Sequence, residues 1–359
     1  MEWKYNLARI TRKTQRILIV KLAAIGDVVM ALPMVEALRK IHPESKITWV
    51  CGETVSPLLN KIAGIDEIIS LDERQLLSGP VIQRIFQLAS IWIKLFGRRY
   101  DLVLTGHADP RYFLLSLTTI ARERRRFSHY RKRPFPLPGR HHTDEYVRLA
   151  TGKEGPSVPV AALPVLDVPM PDRLRDAVRP DTRGTTIALA PGGAKNVLRD
   201  DALRRWPLER YRGLAERLLD HGCGIIITGS KEDQWVCKAF EGLEVVDLVG
   251  KTDLLDLVAV YRSCDIVVTH DSGPLHIAAL AGKPVVSLFG PTSPLEKASR
   301  MKESKALWGG EQLSCRPCYD GKNFARCESN ECMKSIRVDD VYKVLMNIVE
   351  KDTDDVVPL

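Results

Sequence analysis

The sequence predicts an α/β protein made of two doubly wound parallel sheets, one in each domain. Three observations carry this expectation. Short, uninterrupted runs of β-branched apolar residues recur, each followed by a small or polar turn and then by helical apolar spacing, the beat of strand, helix and right-handed crossover. The 359 residues, 45% of them hydrophobic, suffice for about two domains with separate cores. Residues 155–181, rich in Pro and Val and poor in helix signals, read as a linker. The expected division is therefore 1–170 and 171–337, followed by a C-terminal helical segment, 338–359, that can cross back to the first domain.

Ahead of the first strand, Trp3, Leu7 and Ile10 fall at helical spacing among Lys4, Arg9, Arg12 and Lys13. That pattern fits a helix lying on an anionic membrane or a plain basic extension. It lacks the apolar stretch and cleavage site of a secretory signal, and no uncharged apolar run approaches the ~20 residues of a spanning helix. A soluble, cytoplasmic protein is expected.

Arg16-Ile17-Leu18-Ile19-Val20 is the first buried strand, and it runs through Lys21 to Gly26-Asp27 and a helix that ends near His42-Pro43. The turn has one glycine where a dinucleotide site needs G-x-G-x-x-G, which disfavours a nicotinamide or flavin enzyme. Asp27, at the start of that helix, is placed either to cap it or to serve as a general base. Strands are expected over 46–51 and 67–71 with a helix over 54–62 between them. The apolar helix over 81–96 carries the stripe Ile82, Ile85, Phe86, Ala89, Trp92, Ile93 and Phe96, which is expected to face the core. A strand over 100–104 ends in a polar turn where His107 and Arg111 are candidates for an anionic acceptor, a loop salt bridge being the alternative.

Residues 122–142 set many Lys and Arg against the single Glu123, with Phe, Tyr and Pro interleaved. With a formal net charge of +8, the run suggests an electrostatic landing site for phosphorylated lipid headgroups. RNA would feel the same charges, but no recognisable RNA-binding module accompanies them. A helix through Leu149 then closes the first domain.

The second domain opens with a strand over 186–190, followed by Pro191-Gly192-Gly193-Ala194-Lys195. Two glycines and a lysine there can cradle a diphosphate, although this is no Walker sequence and a flexible turn is equally compatible. Arg204-Arg205-Trp206-Pro207 leads into a helix ending at His221-Gly222. Strands over 224–228 and 245–249 each end in a small or polar turn, and a helix over 254–262 follows.

Residues 264–295 are the most informative stretch. Ile266, Val267 and Val268 form a buried strand, Asp271 and Ser272 are N-cap types, and Gly273-Pro274 opens a helix carrying His276. Polar groups thus stand at a strand's carboxyl end and a helix N-terminus, where open sheets bind ligands and anions are favoured. The second strand, 285–289, ends in Gly290-Pro291-Thr292-Ser293-Pro294, another polar loop on the same edge. Asp271 can hold sugar hydroxyls or merely cap the helix, and His276 can face the same cleft or be a satisfied core histidine. No G-x-S-x-G elbow is present, which disfavours a serine hydrolase.

The stretch D-S-G-P-L-H-I-A-A, the N-terminal V-K-L-A-A-I-G-D-V-V-M-A-L-P and the basic-basic-Trp-Pro segment resemble signatures of the family 9 glycosyltransferases, bacterial heptosyltransferases of lipopolysaccharide core. The resemblance covers most of residues 16–345. It implies the GT-B fold, two Rossmann-like doubly wound domains facing a central cleft, with acceptor in the first and a nucleotide-sugar, ADP-heptose, in the second. It implies inverting transfer with Asp27 as base, no cofactor and no metal. Gly192, Gly193, Asp271, Ser272, Gly273 and His276 are the expected donor site, Lys195, Arg204 and Arg205 being rivals for the diphosphate. The partners implied are a phosphorylated glycolipid acceptor and the inner face of the cytoplasmic membrane, with no specific nucleic acid. Ala23-Ala24 stands where small hydroxyl residues are frequent in the family, which bears on acceptor identity. Another nucleotide sugar, a protein or capsule acceptor, or a non-catalytic nucleotide- or RNA-binding role are the alternatives. Cys315, Cys318, Cys327 and Cys332 have the residue types for a tetrahedral metal site, against which stand reduced thiols or a disulfide.

Overall fold

The computed structural model describes residues 16–127, 136–152, 163–178, 184–195, 198–321 and 323–354. The helix read over 3–16 lies almost wholly outside the described residues, as do the middle of the basic run (128–135) and much of the linker (155–162 and 179–181). Two compact units form. One takes the chain up to Ala23 together with Met30–Ala162, and the other takes Ala24–Val29 together with the chain from Leu163 onward.

The first unit contains β1 (Arg16–Val20), the end of α1 (Ile25–Ala31), α2 (Pro33–Ile41), β2 (Lys46–Gly52), α3 (Ser56–Leu59), β3 (Glu67–Leu71), α4 (Glu73–Ser78), α5 (Val81–Leu95), β4 (Arg99–Thr105), β5 (Ile120–Arg126) and α6 (His142–Thr151). Its described strands make a parallel sheet in the order β3-β2-β1-β4-β5. Ile17, Leu18, Ile19 and Val20 are fully buried because β1 is central, with Val20 opposite both Val50 and Thr105. The strand order turns back between β1 and β4, so the carboxyl ends of these two strands form the switch point of this sheet.

The second unit contains α7 (Asp172–Arg175), β6 (Thr186–Ala190), α8 (Leu208–Asp220), β7 (Gly224–Ile227), β8 (Val246–Asp247), α9 (Leu254–Ser263), β9 (Ile266–His270), α10 (Gly273–Leu280), β10 (Val285–Phe289), α11 (Pro294–Lys297), β11 (Lys305–Trp308), α12 (Glu331–Lys334) and α13 (Val338–Asp354). Its described strands are again all parallel, in the order β11-β10-β9-β6-β7-β8. The core beneath them joins Ile187, Leu189, Ile225, Ile227, Val286 and Leu288 of the sheet to Tyr211, Leu214 and Leu218 of α8 and Val341 and Leu345 of α13. Thus α13 packs within its own unit. Between β7 and β8 the chain forms the 3-10 stretch Lys231–Phe240.

One expectation is overturned. Of the apolar stripe expected to face the core on α5, Ile82, Ile85, Phe86, Ile93 and Phe96 are exposed. The helix instead buries Ile91 and Leu95, with Leu88 and Trp92 packed beside them. Both faces of α5 are apolar, so periodicity could not say which one turns inward.

Candidate functional site

In the second unit the strand order reverses at β6 and β9, paired so that Ala190 lies opposite Thr269. Ligands of open α/β sheets bind outside the carboxyl ends of the strands at such a point. The chain leaves β6 into Pro191-Gly192-Gly193 and leaves β9 into Asp271-Ser272-Gly273, so the two turns singled out in the sequence meet there. Gly193 has φ +81°, and a Cβ on it would stand 3.4 Å from the Ser272 Cβ. Its N–H donates to Asp233 Oδ1 at 2.8 Å and its carbonyl accepts from Arg205 Nε at 2.9 Å. Gly192–Gly193 is therefore a tight corner already tied down on both sides.

Asp271 is 2% exposed. The Thr292 hydroxyl donates to its Oδ2 at 2.7 Å, Lys297 Nζ lies 3.4 Å away and Arg204 Nη1 3.6 Å away. Burial alone would raise its pKa; Lys297 first, then Arg204, the Thr292 hydroxyl and His276 outweigh burial and hold the carboxyl well below the usual carboxylate range. Its charge anchors cations and does not cap α10. The N-cap is Ser272, whose hydroxyl is instead within 3.2 Å of Thr269 Oγ1 and donates to the His270 carbonyl at 3.3 Å. Among the described residues no side chain caps α10, so its first N–H groups and the positive end of its dipole are directed to whatever lies beyond Gly273.

Arg204 is positioned by its neighbours in sequence. Trp206 is buried and donates from Nε1 to the Ile336 carbonyl at 2.9 Å, and Pro207 opens α8, so the preceding residues are pinned over the strand ends. Arg204 Nη2 donates to Asp201 Oδ2 at 2.8 Å, while its buried Nε has no hydrogen-bond partner among the described residues. The guanidinium lies 5.8 Å from the Tyr319 ring and 5.7 Å from that of Phe324. Burial works against its charge, but Asp271, then Asp201, and more weakly Asp27, raise its pKa. Arg205, by contrast, is committed to Gly193 and Asp200 and stacks over Trp235 at 5.4 Å. Lys195 is exposed and bridges Asp200 through its backbone.

Ala24–Val29 belongs to this same unit. A Cβ on Gly26 would stand 2.4 Å from the His276 ring, and Ile25 lies 3.7 Å from where Gly273 would carry one. Asp27 follows directly, half-buried, as the third residue of α1 and thus past its N-cap position. Asp27, Arg204, Asp271, Ser272, Gly273 and His276 are accordingly brought together. His107 and Arg111 belong to the first unit, after β4. The Leu22 N–H donates to His107 Nε2 at 3.0 Å and Tyr112 stacks on the ring at 3.7 Å. Arg111 is paired with Asp109 at 2.6 Å.

Sequence reasoning missed Thr292, Lys297, Asp201, Tyr319 and Phe324. The loop after β10 was recognised as polar, which was a signal for Thr292; nothing local marked the other four. The Tyr319 and Phe324 rings lie 4.7 Å apart and tilted by 35° on a small antiparallel bridge, tied to the loop after β10 because the Cys318 N–H donates to the Pro291 carbonyl. Cys315, Cys318, Cys327 and Cys332 are free thiols, and among the described residues no group of three or more His, Cys, Asp or Glu is arranged to hold a metal ion.

The family model described as glycosyltransferase family 9 (heptosyltransferase) matches residues 124–327, more than half of the chain. Lipopolysaccharide core heptosyltransferase OpsX of Haemophilus influenzae is 26% identical over 309 residues, covering 80% of this chain and 82% of that protein. The crystal structure of a glycosyl transferase family 9 protein from Veillonella parvula is similar at a TM-score of 0.73 and 23% identity, over 95% of this chain and 99% of that one. ADP-heptose lps heptosyltransferase II of Escherichia coli is similar at a TM-score of 0.68 and 20% identity, over 94% and 100%. The fold is GT-B.

Proposed function

Because the chain belongs to glycosyltransferase family 9, the heptosyltransferase family, we propose that it transfers heptose from ADP-heptose to a lipopolysaccharide-core acceptor with inversion at the anomeric carbon. The names of the similar proteins, OpsX as a lipopolysaccharide core heptosyltransferase and the Escherichia coli enzyme as an ADP-heptose enzyme, support the substrate pair. The observation that carries the reading is the buried Arg204, with an unspent Nε donor, beside the uncapped N-terminus of α10 and within electrostatic reach of Asp27.

In this reading the diphosphate lies at the start of α10, against the Ser272 and Gly273 N–H groups, with Arg204 and Lys297 supplying the positive charge that grows useful as the phosphate leaves. Of the three basic residues considered for that role, Arg204 is the one that shares a carboxylate with Lys297. Asp271 fixes the two cations and is the candidate for sugar hydroxyls, while His276 backs the Gly26–Asp27 turn. Asp27 takes the proton of the acceptor hydroxyl as its oxygen bonds to the anomeric carbon. The bond from that carbon to the phosphate oxygen breaks on the opposite face, and its electron pair leaves with ADP. His107 and Arg111 are the acceptor candidates in the first unit.

A donor screen tests this. Incubated with a lipopolysaccharide acceptor lacking heptose, the protein is expected to release nucleotide from ADP-heptose at least about tenfold faster than from UDP- or GDP-sugars, a difference of about 1.4 kcal/mol. Equal or greater release from a UDP- or GDP-sugar would replace the donor assignment.

A further inference from the structure

We infer that the outer face of α5, together with Leu114, Leu117 and Ile120, is a docking surface for an anionic phospholipid bilayer. It concerns the first unit alone and is independent of the transfer reaction. The helix carries two apolar stripes. Leu88, Ile91, Trp92 and Leu95 pack on the core, whereas Ile82, Ile85, Phe86, Ile93 and Phe96 are 60–78% exposed. A helix apolar all round is ordinarily buried, and a contiguous exposed patch of large aliphatic and aromatic side chains marks a contact surface.

Hydrogen bonds join the patch to its neighbours. Trp92 Nε1 donates to the Leu114 carbonyl at 2.7 Å, the Gly97 N–H to that of Thr118 at 3.2 Å, and the Ile120 N–H to that of Arg98 at 2.9 Å. The exposed Leu114, Leu117 and Ile120 therefore continue the face past Phe96.

Charge chooses the occupant. Residues 81–100 contain no Asp or Glu, while Arg84, Lys94 and Arg99 are exposed among the apolar side chains. On the edge strand β5, Arg122 and Arg126 alternate onto the same side as Ile120 and are exposed. Glu123 points to the other side and pairs with Arg125 at 2.7 Å. Apolar side chains bracketed by long cationic ones that can reach toward phosphates suit the headgroup region of an anionic leaflet. A second copy would bring like charges together at this face.

The full chain, with neither donor nor acceptor present, is mixed with vesicles of phosphatidylcholine alone or with phosphatidylglycerol added, and flotation is read. Wild type is expected to float with the phosphatidylglycerol vesicles, less so as salt shortens the Debye length from about 10 Å toward 3 Å. Ile85→Asp/Phe86→Asp is expected to lower partitioning by about tenfold or more with an unchanged melting temperature, since both side chains are exposed. Arg99→Glu/Arg122→Glu is expected to weaken binding mainly at low salt. Failure of wild type to float at low salt, unchanged flotation of the apolar double variant, or a dimer in light scattering that this variant converts to monomer would each overturn the proposal.

Discussion

His270 shows how tightly the second unit constrains single side chains. Burial first, then the charge of Arg205, lowers its pKa to about 3, so the ring is neutral at ordinary pH, with Nδ1 3.2 Å from the Tyr211 hydroxyl and Nε2 without a partner among the described residues. An unfolded chain takes up that proton below pH ~6.5, and the folded one does not until about pH 3, so stability rises with pH across this window. Asp271 acts in the same sense. Its lowered pKa stabilises the fold above the ordinary carboxylate value, and that contribution is lost as pH falls below it. Melting curves should show a loss on the order of 2–3 kcal/mol from His270 alone between pH 6.5 and 4.5, and His270→Asn should flatten that slope. A wild-type stability that does not change across this range would be inconsistent with a buried neutral His270.

At the level of elements, the turn between β1 and α1 depends on Gly26. A methyl there would stand 2.4 Å from the His276 ring, so Gly26→Ala must displace either the ring or the start of α1. We expect a loss of about 1–3 kcal/mol in denaturant unfolding, and the double variant Gly26→Ala/His276→Ala should lose less than the sum of the two single changes. Strict additivity would mean the two do not touch. This pairing illustrates what the sequence makes legible. Strand β9, the Ser272-Gly273 turn and α10 could be read because apolar run, N-cap type and helical spacing are all local signals. Lys297 and Thr292 could not be assigned to Asp271, because the contacts span 26 and 21 residues and arise only when β9 and β10 pair. Tyr319 and Phe324 reach Arg204 from still farther along the chain. On α5 the difficulty was different: two apolar stripes on one helix leave periodicity with no preferred inward face.

For the molecule as a whole, family membership, the parallel sheets and the grouping of basic and acidic side chains bear on one activity. Each sheet turns back at a switch point, and the second gathers Arg204, Asp271 and the start of α10 there, with Gly26-Asp27 packed against them. These groups are the ones that the proposed reaction uses to neutralise a leaving diphosphate, and the net charge of +8 suits anionic substrates. Steady-state release of ADP from ADP-heptose, with a heptose-lacking lipopolysaccharide acceptor, should be compared between wild type and Asp27→Asn, with ADP binding determined on the same preparations. Acceptor-dependent release by wild type should fall by about 10²–10⁴ in the variant, as loss of a general base requires, while ADP affinity stays within about threefold. A variant that turns over at the wild-type rate would contradict Asp27 as the base, and a wild type that releases no ADP with this acceptor would contradict heptosyl transfer itself.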